Sequence, residues 1–327
     1  AFVNLVIALL VNPWRDHRPS DRFPAIVQDV TVVGLFFVIA TVLMREFKAR
    51  EFLDVAARER ITHTVLVPAM YNLCLLAPEL DQLDLSVWRI GGFGGAPMPL
   101  TTIEQWASRL PALRLMNLYG ATETTSPATI MPAQFTASHA DSVGLAVACG
   151  DIIGVNETGH EVGPGETGEL WIGGPMVVNG YWNDEESTAR AFTAGYWHSG
   201  DVGSIDAEGF VRVFDRKKDM INRGGYKVYT AEVESVLTAH PAVLEAAAVA
   251  RPCNVLGERV HAFVCLRASA GEEASEQALR AHCAAHLADY KVPETFTLSK
   301  QPLPRNAYGK LLKRELRDQI RSVAATA

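Results

Sequence analysis

Two glycine-rich segments, "GGFGGAPMP" at 91–99 and "NLYGATETT" at 117–125, carry residue types suited to phosphate chemistry. Each stands where a β-prone run gives way to a loop, and in an open α/β sheet ligands bind outside the carboxyl ends of the strands. Glycine there lets backbone approach a ligand closely. Thr122 and Glu123 add a hydroxyl and a carboxylate, the oxygen donors that meet a phosphate and a hard cation. Taken singly, either segment reads better as an ordinary glycine-rich turn plus a helix N-terminus carrying Thr and Glu. Gly309 and Lys310 in "PRNAYGKLLKREL" (304–316) invite a P-loop reading, G-x-x-x-x-G-K-[ST]. That match fails, because Pro304 holds the first glycine position and Leu311 the hydroxyl position. His282 and His286 stand at i and i+4 as in H-E-x-x-H zinc helices, but Cys283 replaces the glutamate, and the segment reads as an amphipathic helix.

The elements that must position these residues follow from periodicity. Residues 49–118 alternate between helical and β-prone segments: "AREFLDVAARER", "THTVLVP", "LTTIEQWASRL", "LRLMNLYG". This predicts an α/β fold with a mostly parallel sheet. Residues 140–215 hold short β-prone runs between Gly, Pro and Asn turns, a small β-rich subdomain. Asn183 and Glu186 have the spacing of a capping box for a helix through "DEESTARAF". After the strand "FVRVF" and the polar run "DRKKD", a second pattern of helix, two strands and helix predicts a small α+β C-terminal domain, with Thr230 as the N-cap of "TAEVESVLTAH". The boundary is placed at Asp215–Asp219, giving domains 1–215 and 216–327. The tail "KLLKRELRDQIR" reads as an amphipathic closing helix, since acids alternate with bases.

With 327 residues, 48% of them apolar, the chain suits about two globular domains. Thirty Lys and Arg against 37 Asp and Glu give a net charge of -7, which offers no basic surface for nucleic acid. Five scattered cysteines (74, 149, 253, 265, 283) form no C-x-x-C pair, which argues for reduced thiols in a cytoplasm. The uncharged stretch Val30–Met44 is 15 residues long, short of the roughly 20 that span a bilayer, and reads as buried core. The opening "AFVNLVIALLVNPW" begins inside an apolar run without a basic leading segment, so the chain reads as a piece of something longer, with no signal peptide.

"NLYGATETT" resembles the Y-G-x-T-E motif of the adenylate-forming (AMP-binding) superfamily, which includes acyl-CoA synthetases, adenylation domains and beetle luciferases. Three further segments resemble it in the same order: "GELWIGGPMVVNGYW" (168–182), "YWHSGDVG" (196–203) running into "DRKKDMINRGGYKVYTAEVE" (215–234), and "PRNAYGKLLKREL". Together they cover roughly the last two-thirds of the chain. The resemblance implies ATP/AMP, Mg²⁺ and coenzyme A as ligands and a small carboxylic acid as substrate. Tyr119 would lie against adenine, with Asn117 and Gly120 in the same nucleotide-contacting loop and Gly94, Gly95 and Ala96 lining the adenine and acyl pocket. Thr122 would bond the α-phosphate and Glu123 hold Mg²⁺. Asp201 would accept from the ribose hydroxyls, with Arg216 beside it; locally, Asp201 also reads as a turn former and Arg216 as part of a solvated basic run. Lys218 matches the hinge of the small domain, and Gly224 and Gly225 match the loop that passes the pantetheine arm. Lys310 matches the C-terminal lysine, whose ammonium would meet carboxylate and phosphate oxygens during adenylation and withdraw for the second half-reaction.

The sequence departs from the family in four places. No Ser/Thr/Gly-rich phosphate loop occurs in residues 1–90, Thr31 or Val32 stands where an aromatic or histidine is usual, Cys253 replaces a common acid, and Tyr308 a common small residue. Much of the large domain is therefore expected to be missing. The implied activity is an acid:CoA ligase acting on a fatty or aryl acid, because "GGYKVYTAEVE" resembles the acyl-CoA ligase form of that segment and no carrier domain follows residue 327. Loading of a carrier protein and a non-catalytic piece serving only in binding are the alternatives, and a homodimer stays open.

Overall fold

A computed structural model describes residues 5–7, 42, 44, 46–96, 98–125, 127–271, 274–305 and 311–326. The chain divides into two compact units, residues 1–148 and 149–327. In the first unit, strands β1 (Leu5–Ile7), β2 (His63–Leu66), β3 (Ile90–Gly94) and β4 (Arg114–Gly120) lie side by side and parallel. Parallel neighbours need a crossover. Helices α1 (Ala49–Arg58), α2 (Pro68–Leu75) and α3 (Leu100–Arg109) lie in the three connections. β5 (Pro127–Ile130) and β6 (Gly144–Ala146) extend the sheet antiparallel. The mostly parallel α/β layer expected from the alternating segments is present.

Helical spacing fixes what each helix buries. Phe52, Leu53 and Ala56 of α1, Tyr71, Cys74 and Leu75 of α2, and Ile103 and Trp106 of α3 enter one core with Leu66, Trp88, Phe93 and Leu115. The Trp88 ring meets Phe52 and Trp106 edge-on and stacks on Tyr71. Of Val30–Met44 only Val42 and Met44 are described, both packed against this core; the rest of that expectation, with Thr31 and Val32, lies outside the described residues.

The second unit holds two sheets. β7 (Asp151–Val155), β8 (Gly168–Gly173), β10 (Tyr196–Ile205) and β11 (Phe210–Arg216) pair antiparallel in the order β11-β10-β8-β7, and β9 (Phe192–Thr193) joins β10. Helix α4 (Glu185–Ala191) precedes β9, and its cap corrects the sequence expectation: Asp184 accepts from Ser187 N at 2.9 Å, while Asn183 takes φ +51° outside the helix. Both are good capping residues, and the local backbone chose between them.

The other sheet has β12 (Ile221–Arg223), β13 (Tyr226–Val228), β14 (Val243–Cys253) and β15 (Gly257–Leu266) in the order β13-β12-β15-β14, with β16 (Thr295–Ser299) parallel to β15. Alternate residues point to opposite faces. Ala248, Ala262 and Val264 meet Val233 and Leu237 of α5 (Thr230–Ala239) and Leu279 and Cys283 of α6 (Glu276–His286). Ala247, Val249, Phe263 and Cys265 meet Leu316 and Ile320 of α7 (Lys313–Thr326). Thr230 is the first residue of α5 rather than its N-cap, which is Tyr229. The five cysteines are free thiols. Among the described residues no helix is long and apolar enough to cross a membrane.

Candidate functional site

In the first unit the candidate residues gather at the carboxyl ends of β3 and β4. Gly94 is the last residue of β3 and stands opposite Leu118 of β4, so the loops beginning at Gly95 and Ala121 are neighbours. Packing explains most of the glycines. A Cβ on Gly91 would lie 2.6 Å from the Tyr71 hydroxyl, and one on Gly94 would lie 2.3 Å from the Leu118 carbonyl oxygen. The Tyr71 hydroxyl donates to Gly92 O at 3.0 Å, which holds β3 over α2. Gly95 is different: its Cβ position is open except for Val67 at 3.9 Å, but its φ of +79° is a left-handed conformation that favours glycine. Gly95 and Ala96 are exposed at the mouth of this end of the sheet.

β4 supplies Asn117, Tyr119 and Gly120. Asn117 Nδ2 donates to Ser142 O at 3.3 Å, a structural tie across the sheet end, and Tyr119 is half-buried. A 3-10 turn, Thr122–Thr124, follows. Thr124, fully buried, locks it: its Oγ1 accepts from Ala121 N at 3.0 Å and donates to Ala121 O at 2.9 Å. Thr122 is thereby left exposed and Glu123 half-buried on the turn. A hydroxyl beside a carboxylate is a donor set that fits a phosphate and Mg²⁺. Sequence reading missed Thr124; the run of five hydroxyl or carboxylate side chains from Thr122 to Ser126 was the signal.

In the second unit the structure brings Asp201 and Arg216 together. They are cross-strand partners on β10 and β11, and Arg216 Nε lies 2.6 Å from Asp201 Oδ1. Asp201 is only 4% exposed. Its strand is bulged there: between the pairs His198↔Trp171 and Val202↔Glu169, β10 has two more residues than β8. Gly200 takes φ +69° within the bulge, and Ser199 Oγ accepts from Asp201 N at 3.0 Å while donating to Leu170 O at 2.6 Å. Asp201 therefore belongs to a distorted strand, not to a loop turn, and bulges are a common way to re-aim a side chain. Gly200, Arg216, Lys217 and Lys218 line an open cavity of about 420 Å³. Arg216 is paired with Asp201 and Lys217 Nζ lies 2.8 Å from Glu169 Oε2, so the cavity wall carries cations and carboxylates together; cationic groups there suit an anion such as a phosphate.

Lys218 lies exposed in the turn 217–219 between β11 and β12, inside the second unit. Gly224 (φ +59°) and Gly225 (φ +92°) form the two-residue turn of the β12–β13 hairpin. Two successive positive φ values are what a type I′ turn requires. Asn222 Oδ1 accepts from Gly225 N at 3.0 Å, and a Cβ on Gly225 would face open space. Lys310 lies outside the described residues; its flanks, Arg305 and Leu311, pair as an isolated antiparallel bridge. His282 and His286 bond the carbonyls of Val236 and His282 through one ring nitrogen each.

Residues 27–182 match the family described as AMP-binding enzyme, and residues 232–310 match the AMP-binding enzyme C-terminal domain. A long-chain-fatty-acid–CoA ligase of Salmonella typhimurium is 37% identical over 255 residues, which are 78% of this chain and 44% of that protein. The fatty acid–[acyl-carrier-protein] ligase ScoC of Streptomyces coeruleorubidus is 35% identical over 320 residues, 94% of this chain and 60% of that protein. Among solved structures, ATP-bound MatB from Rhodopseudomonas palustris has a TM-score of 0.81 at 30% identity, over 90% of this chain and 57% of that one. The chain thus spans about half the length of the curated relatives it matches. By both domain matches and by these relatives, the chain belongs to the adenylate-forming AMP-binding enzyme family.

Proposed function

We propose that this chain carries the nucleotide-handling and C-terminal parts of an acid:CoA ligase. Such an enzyme activates a fatty or aryl carboxylic acid with ATP to an acyl-adenylate and then forms a thioester with coenzyme A. The observation that carries the reading is the Asp201–Arg216 pair beside a cation-lined cavity, at positions where the family pattern contacts ribose and phosphate. The β3 and β4 loops add Gly94, Gly95, Ala96, Asn117, Tyr119 and Gly120 for the adenine, Thr122 for the α-phosphate and Glu123 for Mg²⁺. The metal, when bound, neutralises charge on the phosphate oxygens. Lys218 serves as hinge between domains 1–215 and 216–327, and Gly224 and Gly225 leave room for the pantetheine arm. Five unpaired thiols fit a reducing compartment such as the cytoplasm.

Lys310 acts in adenylation: an ammonium near the attacking carboxylate and the departing pyrophosphate positions both and offsets developing charge. Replacing it in the full-length gene product abolishes acid-dependent pyrophosphate exchange and largely spares thioester formation from preformed acyl-adenylate. Equal loss of both steps contradicts the assignment. ScoC supports carrier-protein loading as the second reading. Offering coenzyme A and a phosphopantetheinylated carrier protein to the acyl-adenylate decides between them, and an acid scan that finds only amino acids activated defeats the ligase reading.

A further inference from the structure

A chain of buried and half-buried polar contacts runs from α7 to the Asp201–Arg216 pair. It starts at Lys313, whose Nζ lies 2.6 Å from Glu234 Oε1 and donates to Thr230 Oγ1 at 2.6 Å. Thr230 and Glu234 are one turn apart on α5, so a single ammonium spans both. Burial pushes the Glu234 carboxyl pKa up, while Lys313 and a hydrogen bond from Ala248 N work against that rise. Thr230 is fully buried and donates onward twice, from its Oγ1 and from its backbone N, both to Asp215 Oδ2.

Asp215, 8% exposed, has two jobs. Oδ2 satisfies the first N–H of α5 from a different element, at the helix end where a carboxylate is favoured. Oδ1 accepts from Arg216 N at 2.8 Å and so fixes the backbone of the residue that carries the guanidinium. Arg216 then meets Asp201. Arg216 is thus held at its backbone by Asp215 and at its side chain by Asp201.

We infer that Asp215, held in place by Thr230 and Lys313, is a positioning residue for the Asp201–Arg216 pair and so for nucleotide binding. This rests on the reading of Asp201 and Arg216 as nucleotide contacts. The argument for a role beyond packing is the division of labour on one carboxylate: one oxygen secures α5, and the other reaches the residue at the cavity. A threonine hydroxyl that both donates to Asp215 and accepts from Lys313 keeps the carboxylate from turning. Losing that hydroxyl removes one of the three donors on the carboxylate and its link to Lys313, leaves the backbone N–H bonds from Thr230 and Arg216, and keeps the side-chain volume.

The test is calorimetric titration with AMP of this chain and of the variants Thr230→Val, Thr230→Ser and Asp201→Asn, with melting temperatures measured beside it. Valine keeps the volume and removes the hydroxyl; serine keeps the hydroxyl. The expected result is AMP affinity lowered about tenfold in Thr230→Val, the scale of one lost hydrogen bond, and restored to within about twofold in Thr230→Ser. Thr230→Val that melts earlier but binds AMP as the parent does, well below its transition, overturns the positioning role. If Asp201→Asn leaves AMP affinity unchanged, or the parent chain does not bind AMP, the nucleotide-site reading falls and the inference with it. Weakened binding in Asp201→Asn alone removes only the contact chain.

Discussion

Gly94→Ala tests whether close backbone packing, rather than conformational freedom, fixes the glycine at the end of β3. An added Cβ would sit 2.3 Å from Leu118 O, where carbon and oxygen normally stay about 3.2 Å apart. The obstacle is a backbone carbonyl in the last register pair of β3 and β4, so no side chain can swing aside. The strands must part by close to an ångström, which costs the terminal ladder contact and packing beneath it, about 2–3 kcal/mol. Gly95→Ala meets no such obstacle and is charged only for φ +79°, about 1–2 kcal/mol. Urea unfolding followed by tryptophan fluorescence reports on this unit through Trp88 and Trp106 in its core once Trp171, Trp182 and Trp197 of the second unit are replaced by Phe in the parent and in both variants. The midpoint is expected to fall more for Gly94→Ala than for Gly95→Ala with the slope m unchanged, which marks a stability change alone. A Gly94→Ala midpoint equal to wild type, or the reverse order of the two variants, refutes the packing argument.

Two further outcomes are expected. His261 on β15 is 7% exposed, bonds Thr295 Oγ1 and Thr297 Oγ1, and has its pKa lowered by burial, with Arg251 adding to the effect, from 6.5 to about 4. The unfolded chain takes up that proton first as pH falls. This histidine's contribution to stability is therefore complete above pH 6.5 and lost progressively down to about pH 4, on the order of 3 kcal/mol in all. The stability difference between wild type and His261→Gln should shrink over that window in urea titrations, and a pH-independent difference contradicts the burial argument. Thr124→Val should open the turn that displays Thr122 and Glu123, raising exchange of the Ala121 amide about tenfold for the loss of one hydrogen bond. Unchanged exchange at Ala121 would show that the turn holds without the hydroxyl.

What the sequence could and could not convey depends on how far apart the interacting residues lie. Helix and strand identity came from local periodicity, and the segments "AREFLDVAARER" and "LTTIEQWASRL" announce α1 and α3 because their apolar residues recur at helical spacing. The strands β14 and β15 were harder, since both of their faces are buried against helices and the alternation that marks a half-exposed strand is blurred. The α4 cap shows the same limit at close range: Asn183 and Asp184 have equal capping chemistry, and only the backbone angle at Asn183 excludes it. Lys310, the residue that raised the sharpest chemical question, lies outside the described residues.

Thr230 carries the general point. Its side chain, at the start of an apolar helix pattern, satisfies every local criterion for an N-cap, yet it sits inside the helix and its hydroxyl joins Asp215, 15 residues upstream, to Lys313, 83 residues downstream. No window of sequence contains all three. The glycines behave alike: a G-G-x-G-G string signals close approach but not what is approached, and the answer is a tyrosine hydroxyl at Gly91, a carbonyl at Gly94 and a backbone angle at Gly95. Residue type at a chemical site is legible because chemistry restricts which side chains can do the work. The supports are not, because a carboxylate, hydroxyl or methyl-sized gap can be supplied from anywhere the fold brings near. Substitutions at Thr230 and Gly94 therefore probe what the tertiary structure adds to the motifs, where substitutions at Asp201 probe the motif itself.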